Sequence, residues 1–288
     1  MITYQSKLWT SEKANQKVLS MDPFGQDLPI GPFSFSMDRL FQEAILSFAT
    51  GISKETVTSA EALNRIVGRL VLQTFNEQWL SDMKNEARRF IAPAYADGAD
   101  TGDNKLRSIG ASVEDVEKAR DAVRDALAEA VDRQTTRLSN GLGDTFKVKL
   151  REIVGEGIEQ GETPRELSNR VIEWAGSRRD PERATRSRAM MIARTETRRA
   201  QIDAQVVSWR ASGLVQGKQW LLAPNPCQFC QSAARLGVIP IDKPFYRLGQ
   251  TVNGVDGGLM RVDYETIYGP ALHPNCRCDL LPVPMKQR

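Results

Sequence analysis

The first 226 residues of this 288-residue chain contain no cysteine and no histidine. The only histidine and all four cysteines follow, as Cys227, Cys230, His273, Cys276 and Cys278. A catalytic set that needs a histidine base could therefore use His273 alone. Any metal or thiol chemistry in the sequence is confined to its C-terminal part.

Other absences narrow the class of protein. No apolar run approaches the roughly 20 residues that span a bilayer, and the start of the chain lacks the apolar core of a secretion signal. The net charge is only +3, from 39 basic and 36 acidic residues, so overall charge gives no argument for a nucleic-acid binder. We expect a protein made in a reducing cytosol with no membrane partner, where clustered cysteines are more often metal ligands than disulfides.

The cysteines and the histidine form two short clusters. Cys227-Gln-Phe-Cys230 places two thiolates on one turn, and His273-Pro-Asn-Cys276-Arg-Cys278 supplies three further ligands. Tetrahedral zinc takes four such ligands, so five candidates favour a closed structural site. A catalytic zinc, which usually keeps one position open for water, and a Cys–His nucleophile pair are the alternatives. The pattern leaves open which four of the five bind Zn²⁺.

The remainder of the chain is patterned mainly for helices. Proline and glycine among aromatic residues predict an extended N-terminal arm over residues 1–35. Apolar residues at three- and four-residue steps then predict a helical body over residues 36–160, interrupted by a loop at Pro93–Gly110 and by a helix end at Gly141 and Gly143.

Two local signals predict where helices begin. Ser112 with Asp115 predicts one helix cap, and Thr163-Pro-Arg-Glu166 predicts a capping box. A helix over residues 181–212 should end at Gly213, after which short apolar pieces alternate with Gly and Pro. The predicted fold is mainly α: a helical body and a small C-terminal α+β domain that is stabilised by zinc. So loop-rich a domain should have only a small core, separate from that of the body.

Arginines are concentrated in the helix predicted over residues 181–212. Helical geometry places four of them on one side: Arg183, Arg186, Arg194 and Arg198. This face could contact DNA or an acidic protein surface, or it could be a solvated face, which composition alone favours. Arg188 and Arg199 should project near the apolar side, where they would need carboxylate partners such as Glu196.

The order of C-terminal features resembles the Mu F-like minor head proteins, or head morphogenesis proteins, of tailed bacteriophages. The matching pieces cover roughly residues 160–284: Ile192-Ala-Arg-Thr-Glu-Thr197, Gly213-Leu-Val215, Lys218-Gln-Trp220, and the two Cys/His clusters. The family's acidic lead into the first cysteine is replaced by Ala223-Pro-Asn-Pro226. The resemblance assigns residues 161–288 to a Mu F-like domain with a zinc-binding C-terminal module.

That resemblance implies a non-enzymatic virion protein. Such proteins are present in a few copies inside the head, near the portal vertex, after assembly in the host cytoplasm. The implied partners are the portal protein and the major capsid or scaffold proteins, and the packaged DNA is a further candidate. The implied role is assistance to head assembly, DNA packaging or ejection. A zinc-dependent hydrolase or a nucleic-acid-processing enzyme is the alternative from a different class.

Overall fold

The computed structural model describes residues 30–56, 59–175 and 181–285. Within these ranges the helices are α1 (Ile30–Ser53), α2 (Ala60–Thr74), α3 (Glu77–Ser108), α4 (Val113–Glu159), α5 (Pro164–Ala175), α6 (Pro181–Ser212) and α7 (Gln228–Arg235). The strands are β1 (Val215–Leu221), β2 (Val238–Pro240), β3 (Thr251–Asn253), β4 (Leu259–Arg261) and β5 (Asp279–Pro284). None of these helices has both the length and the apolar character needed to cross a bilayer. The mainly α fold with a small C-terminal α+β region is confirmed.

Helix α6 is the central element of the helical body. It packs along α1, α3 and α4, and its alanines Ala189, Ala193, Ala200 and Ala204 are all fully buried. Beside it, aromatic rings fill the core where α1, α3 and α4 meet α2. The ring of Phe146 lies 5.0 Å from that of Phe41 and 5.6 Å from that of Phe75. Small residues on α6 and large rings around it give the body a close-packed apolar core.

The first described helix begins earlier than the sequence indicates. Residues 1–29 of the predicted arm lie outside the described residues. Residues 30–35 are helical, and Phe33 is fully buried with its ring stacked 5.0 Å from Phe90. The prediction of an extended arm is therefore wrong for these six residues. Pro32 lies in the first helical turn, where a missing N–H is tolerated.

The loop predicted at Pro93–Gly110 is also wrong, because α3 continues through Pro93 to Ser108. The small residues of this stretch form a helix–helix contact. A Cβ atom added at Gly98 would lie 2.5 Å from the Cα atom of Gln201 on α6, and one at Gly102 would lie 3.2 Å from the Cα atom of Gln205. Glycine at these two positions lets the backbones of α3 and α6 approach closely.

The helix end predicted at Gly141 and Gly143 is absent as well. Helix α4 runs without interruption from Val113 to Glu159. Gly143 is buried against α3, where a Cβ atom would lie 3.0 Å from Leu80 Cδ2, whereas Gly141 has open space around it. Gly143 thus provides room for a neighbouring side chain, and neither glycine ends the helix.

The predicted caps are confirmed. Ser112 Oγ accepts a hydrogen bond from the Asp115 amide at 3.1 Å. Glu166 accepts from the Thr163 amide at 2.7 Å, while Thr163 Oγ1 accepts from the Glu166 amide at 3.3 Å, which completes the reciprocal capping box. Gly213 adopts the left-handed conformation, with φ of 65°, directly after α6.

After Gly213 the chain forms a C-terminal module, residues 214–285. Its three-stranded antiparallel sheet has the order β2-β1-β5, and β3 and β4 form a separate hairpin. The apolar cluster of this module includes helical-body residues from three helices: Leu106, Val116, Ile202, Val206 and Trp209. The apolar cluster of the module is separate from that of the helical body, and the end of α6 forms one of its walls. The boundaries predicted at residues 160 and 161 stay a prediction.

The approach of α3 to α6 gives a paired test. Gly98→Ala should lower the free energy of unfolding strongly, by about 2 kcal/mol or more, because the added methyl group overlaps backbone atoms of Gln201. Gly141→Ala should raise it by about 0.5–1 kcal/mol, because that position is a helix interior with open space. Urea denaturation of both variants measures the difference. If Gly98→Ala were as stable as the natural chain, the close contact would be wrong.

Candidate metal centre

One half of the centre is built by the start of α7. Cys227 is the N-cap residue of this helix, and its Sγ atom accepts a hydrogen bond from the Cys230 amide at 3.4 Å. The cap turns both thiols toward the same side of the first turn. Cys230 is 1% exposed, whereas Cys227 is partly exposed. This half of the site is therefore organised by local structure.

The other half is a loop, residues 273–278, that leads into β5. His273 and Cys276 are joined by a turn in which the Cys276 amide donates to the His273 carbonyl at 3.2 Å. Asn275 inside the turn has a φ of 58°, a conformation that asparagine tolerates better than most residues. The Pro274 carbonyl lies 2.8 Å from His273 Nδ1, so Nδ1 carries the proton and Nε2 is left as the ligand atom.

The structure brings all five predicted ligands together. His273 Nε2 lies 3.1 Å from Cys227 Sγ and 3.3 Å from Cys230 Sγ. Cys230 Sγ lies 3.6 Å from Cys276 Sγ, and the ligand atoms of Cys230, Cys276 and Cys278 are all within 4.8 Å of one another. Cys230 belongs to both groups of three. Spacings of 3–4 Å between ligand atoms suit a tetrahedral ion with bonds of about 2.0–2.3 Å, so these side chains form a possible metal site.

The thiols also influence one another's protonation. Hydrogen bonding from the thiols of Cys230 and Cys278 lowers the pKa of Cys276 well below its ordinary value. Donation to Cys276 raises the pKa of Cys230. The lowered pKa of Cys276 favours its thiolate, which is the form that binds a metal ion.

Helix α6 contacts the loop of residues 273–278 directly. Thr195 Oγ1 accepts a hydrogen bond from the Asn275 amide at 3.1 Å. Arg198 donates to the Cys278 carbonyl through Nε at 3.2 Å and Nη2 at 2.9 Å, and its Nη2 lies 3.4 Å from Asp279. Lys105 of α3 reaches Asp279 at 2.9 Å. Although burial alone would raise the pKa of Asp279, these two cations lower it.

The predicted arginine face is corrected by these contacts. Arg198 is only 6% exposed and is bound to the loop, so its assignment to a DNA-binding surface is wrong. Arg198 meets the module, whereas Arg194, one turn earlier on the same side of α6, remains exposed. The side chains of Arg183 and Arg186 lie outside the described residues, and their partner contact stays a prediction.

A second buried ionic cluster joins α6 to the module. Arg199 bonds Glu196 at 2.7 Å, as the sequence indicates, and lies 3.1 Å from Glu265. Arg137 of α4 also pairs with Glu265. The guanidinium groups of Arg199 and Arg137 lie 4.2 Å and 4.8 Å from the ring centre of Tyr264. Arg188, which was expected to need a carboxylate partner if buried, is half-buried and lies over the ring of Trp174 at 5.6 Å.

Lys218 is completely buried, which was not predicted from the sequence. Its Nζ atom donates to the carbonyls of Pro240, Ile241 and Lys243 at 3.2, 2.8 and 2.7 Å. Burial lowers its pKa to about 8, yet three carbonyl acceptors match the three N–H groups of an ammonium ion. The alternation of β1 offered a signal, because Lys218 and the buried Trp220 share one face of the strand.

An open cleft of about 570 Å³ lies beside the metal centre. Its walls come from α4, α6 and the module, and apolar side chains such as Leu142, Met191 and Val262 line most of it. His273, Glu196 and Tyr264 contribute polar atoms. The cleft is large enough for a small ligand.

Comparison of the chain with protein-family models, curated proteins and solved structures finds no match in any of the three.

The two overlapping ligand groups give a ranked prediction. Cys230→Ser should abolish metal retention, because Cys230 belongs to both groups of three. With five candidates for four positions, one of Cys227, His273, Cys276 and Cys278 is dispensable, and its replacement should leave most of the metal bound. Metal per chain after dialysis against a weak chelator is the measurement. A Cys230→Ser protein that keeps its full metal content would contradict this assignment.

Asp203 of α6 should make the stability of the folded chain depend on pH. Burial, and next the carboxylate of Glu265, raise its pKa to about 7, and the Tyr95 hydroxyl donates to it at 3.4 Å. Because the folded-state pKa exceeds the ordinary value of 3.8, the folded chain binds more protons than the unfolded chain between about pH 4 and 7. The contribution of Asp203 to stability therefore falls as the pH rises through this window.

Asp203→Asn removes that titration. The variant should therefore be more stable, relative to the natural chain, at pH 8 than at pH 5: the difference in free energy of unfolding, variant minus natural chain, should increase with pH. Urea denaturation at both pH values measures this difference, and Asp125→Asn on the exposed side of α4 serves as the matched control. A difference that does not change with pH would show that Asp203 ionises in the folded chain as it does in the unfolded one.

Proposed function

We propose that this chain is a minor head protein of a tailed bacteriophage, similar to the Mu F-like family, with one structural zinc ion in its C-terminal module. One contact carries most of this proposal. The Asn275 amide, inside the second Cys/His cluster, donates to Thr195 in the Ile192–Thr197 piece. These two parts of the family resemblance are 80 residues apart in sequence and touch in the fold.

The donor set supports zinc as the metal. Up to four thiolates and one neutral imidazole are soft and borderline ligands, which suit Zn²⁺ and not the hard cations Mg²⁺ or Ca²⁺. Cys230, Cys276 and Cys278 are at most 5% exposed, as expected of a closed site. Zinc held there would cross-link the start of α7 to the loop that leads into β5. Its role is to hold the fold of the module.

The rest of the architecture supports a structural role in the head. A long helical body carries a small module whose position is fixed by buried ion pairs, as suits a protein that presents surfaces to other subunits. The exposed Arg194, together with Arg183 and Arg186, is proposed to contact packaged DNA or an acidic surface of the portal. The proposed partners are the portal and the major capsid or scaffold proteins, and the proposed location is inside the head near the portal.

The cleft beside His273 favours a second candidate, a zinc-dependent hydrolase or nucleic-acid-processing enzyme. Such an enzyme needs an open metal position and a carboxylate base nearby. Glu196, which lines the cleft, is engaged by Arg199 and Gln134. Asp279, next to Cys278, is engaged by Lys105 and Arg198. These pairings make the enzyme the weaker candidate.

The test is made on phage particles from a host that carries the gene for this chain. The protein should occur at a few copies per purified particle and cross-link to the portal, and Cys230→Ser should reduce its incorporation because the module loses its metal. Quantitative mass spectrometry of purified particles measures the copy number and the incorporation of the variant, and mass spectrometry after cross-linking identifies the contact with the portal. Infectious particles with normal heads, assembled without this chain, would contradict the proposal.

A variant of the same experiment examines the arginines. Changing Arg183, Arg186 and Arg194 to Glu should reduce incorporation or packaged DNA, because each reversal replaces attraction to an anionic surface by repulsion. The matched control changes three arginines of α4 in the same way: Arg124, Arg133 and Arg151, all exposed. Equal effects of the two triple variants would leave only a general charge effect.

A further inference from the structure

We propose that Arg198 and Thr195 of α6 are positioning residues of the metal centre, and that they hold the loop of residues 273–278 in a metal-binding conformation. This inference rests on the proposed zinc site. It assigns a specific task to two residues that are neither metal ligands nor surface groups. The task follows from a difference between the two halves of the centre.

The Cys227–Cys230 half is organised by its own helix, through the N-cap of α7. The loop of residues 273–278 belongs to no helix or strand and has one internal backbone hydrogen bond, between His273 and Cys276. A loop of this kind loses conformational entropy when a metal ion fixes two or three of its side chains. Anchors outside the loop would reduce that loss by fixing the backbone beforehand.

Helix α6 supplies two anchors with suitable geometry. Thr195 Oγ1 accepts a hydrogen bond from the Asn275 amide at 3.1 Å and donates its own proton to the Met191 carbonyl at 2.7 Å, which fixes the orientation of the hydroxyl. Arg198 holds the Cys278 carbonyl with two N–H groups at 3.2 and 2.9 Å. The anchored residues lie on either side of Cys276, and both anchors are nearly buried, at 5% and 6% exposure.

The charge balance supports the same task. Arg198 and Lys105 are two cations that share one carboxylate, Asp279, and therefore leave one positive charge beside Cys278. A zinc ion carries one net negative charge when three thiolates and one neutral imidazole bind it, and two when four thiolates bind it, so the loaded site is negative for any four of the five candidates. An excess cation fixed next to the ligands would offset the charge of the loaded site. Buried unbalanced charge is costly, so the metal-loaded state gains more from Arg198 than the metal-free state does.

The experiment measures zinc affinity of the full chain by competition with a chromogenic chelator. Arg198→Met should weaken zinc binding about 10- to 100-fold, the usual effect of losing a group that orients metal ligands. Arg198→Lys keeps the charge but loses the paired Nε and Nη2 hydrogen bonds to the Cys278 carbonyl, so its zinc affinity should lie between those of the natural chain and Arg198→Met. Arg194→Met, one turn away and exposed, is the matched control and should bind like the natural chain.

A second pair covers the case in which Arg198→Met fails to fold. Thr195→Val should weaken binding about 5-fold, by removing one hydrogen bond to the loop. Thr197→Val is the control, because the buried Thr197 hydroxyl has no hydrogen-bond partner among the described residues. The visible spectrum of bound Co²⁺ provides an independent readout, since it reports ligand geometry. A residue that only stabilised the fold would leave that spectrum and the affinity of the folded protein unchanged.

The outcomes separate the two proposals. If the natural chain binds no zinc, the proposed zinc site fails. If the natural chain binds zinc, and Arg198→Met and Thr195→Val match their controls in affinity and Co²⁺ spectrum, the zinc site stands and the positioning role is overturned. Weaker binding in both variants, with a changed spectrum and unchanged controls, is the result we expect.

Discussion

Buried charges on α6 fix how the two parts of this protein meet. Arg199 pairs with Glu196 and Glu265, and Arg198 shares Asp279 with Lys105. Removing one partner of a buried pair typically costs 3–5 kcal/mol, because the other charge is left without compensation. These pairs therefore tolerate little displacement of α6 relative to β5 and the segment around Glu265. The orientation of the module, and with it the position of the Cys/His cluster, depends on this constraint.

The small size of the module explains why it needs α6 and why a metal ion would stabilise it further. Strands β2, β3 and β4 have three residues each, and the module completes its apolar cluster with Ile202, Val206 and Trp209 of α6. A structural zinc ion contributes on the order of 10 kcal/mol of folding free energy in small domains. In the proposed head protein, that ion and the ion pairs together would keep the module fixed on the helical body during assembly.

The sequence predicted well which Cys and His side chains cluster, and it predicted some helix limits poorly. Cysteine and histidine are rare and chemically specific, so their clustering indicated the site directly, and the capping box at Thr163 is a local signal. Gly98, Gly102 and Gly143 suggested breaks because the pattern does not show that another helix approaches there. Tertiary contact overrides local propensity at such positions. The burial of Arg198 likewise depends on the fold, since periodicity gave its angle on α6 but not what α6 faces.

The central claim is that four of the five clustered side chains hold one structural zinc ion. Native mass spectrometry of the full chain, purified without added metal, tests it most directly. The account predicts a mass increase of one zinc atom per chain, with loss of that mass after treatment with a strong chelator. A chain at its metal-free mass, with hydrogens lost to disulfides among the four cysteines, would contradict it.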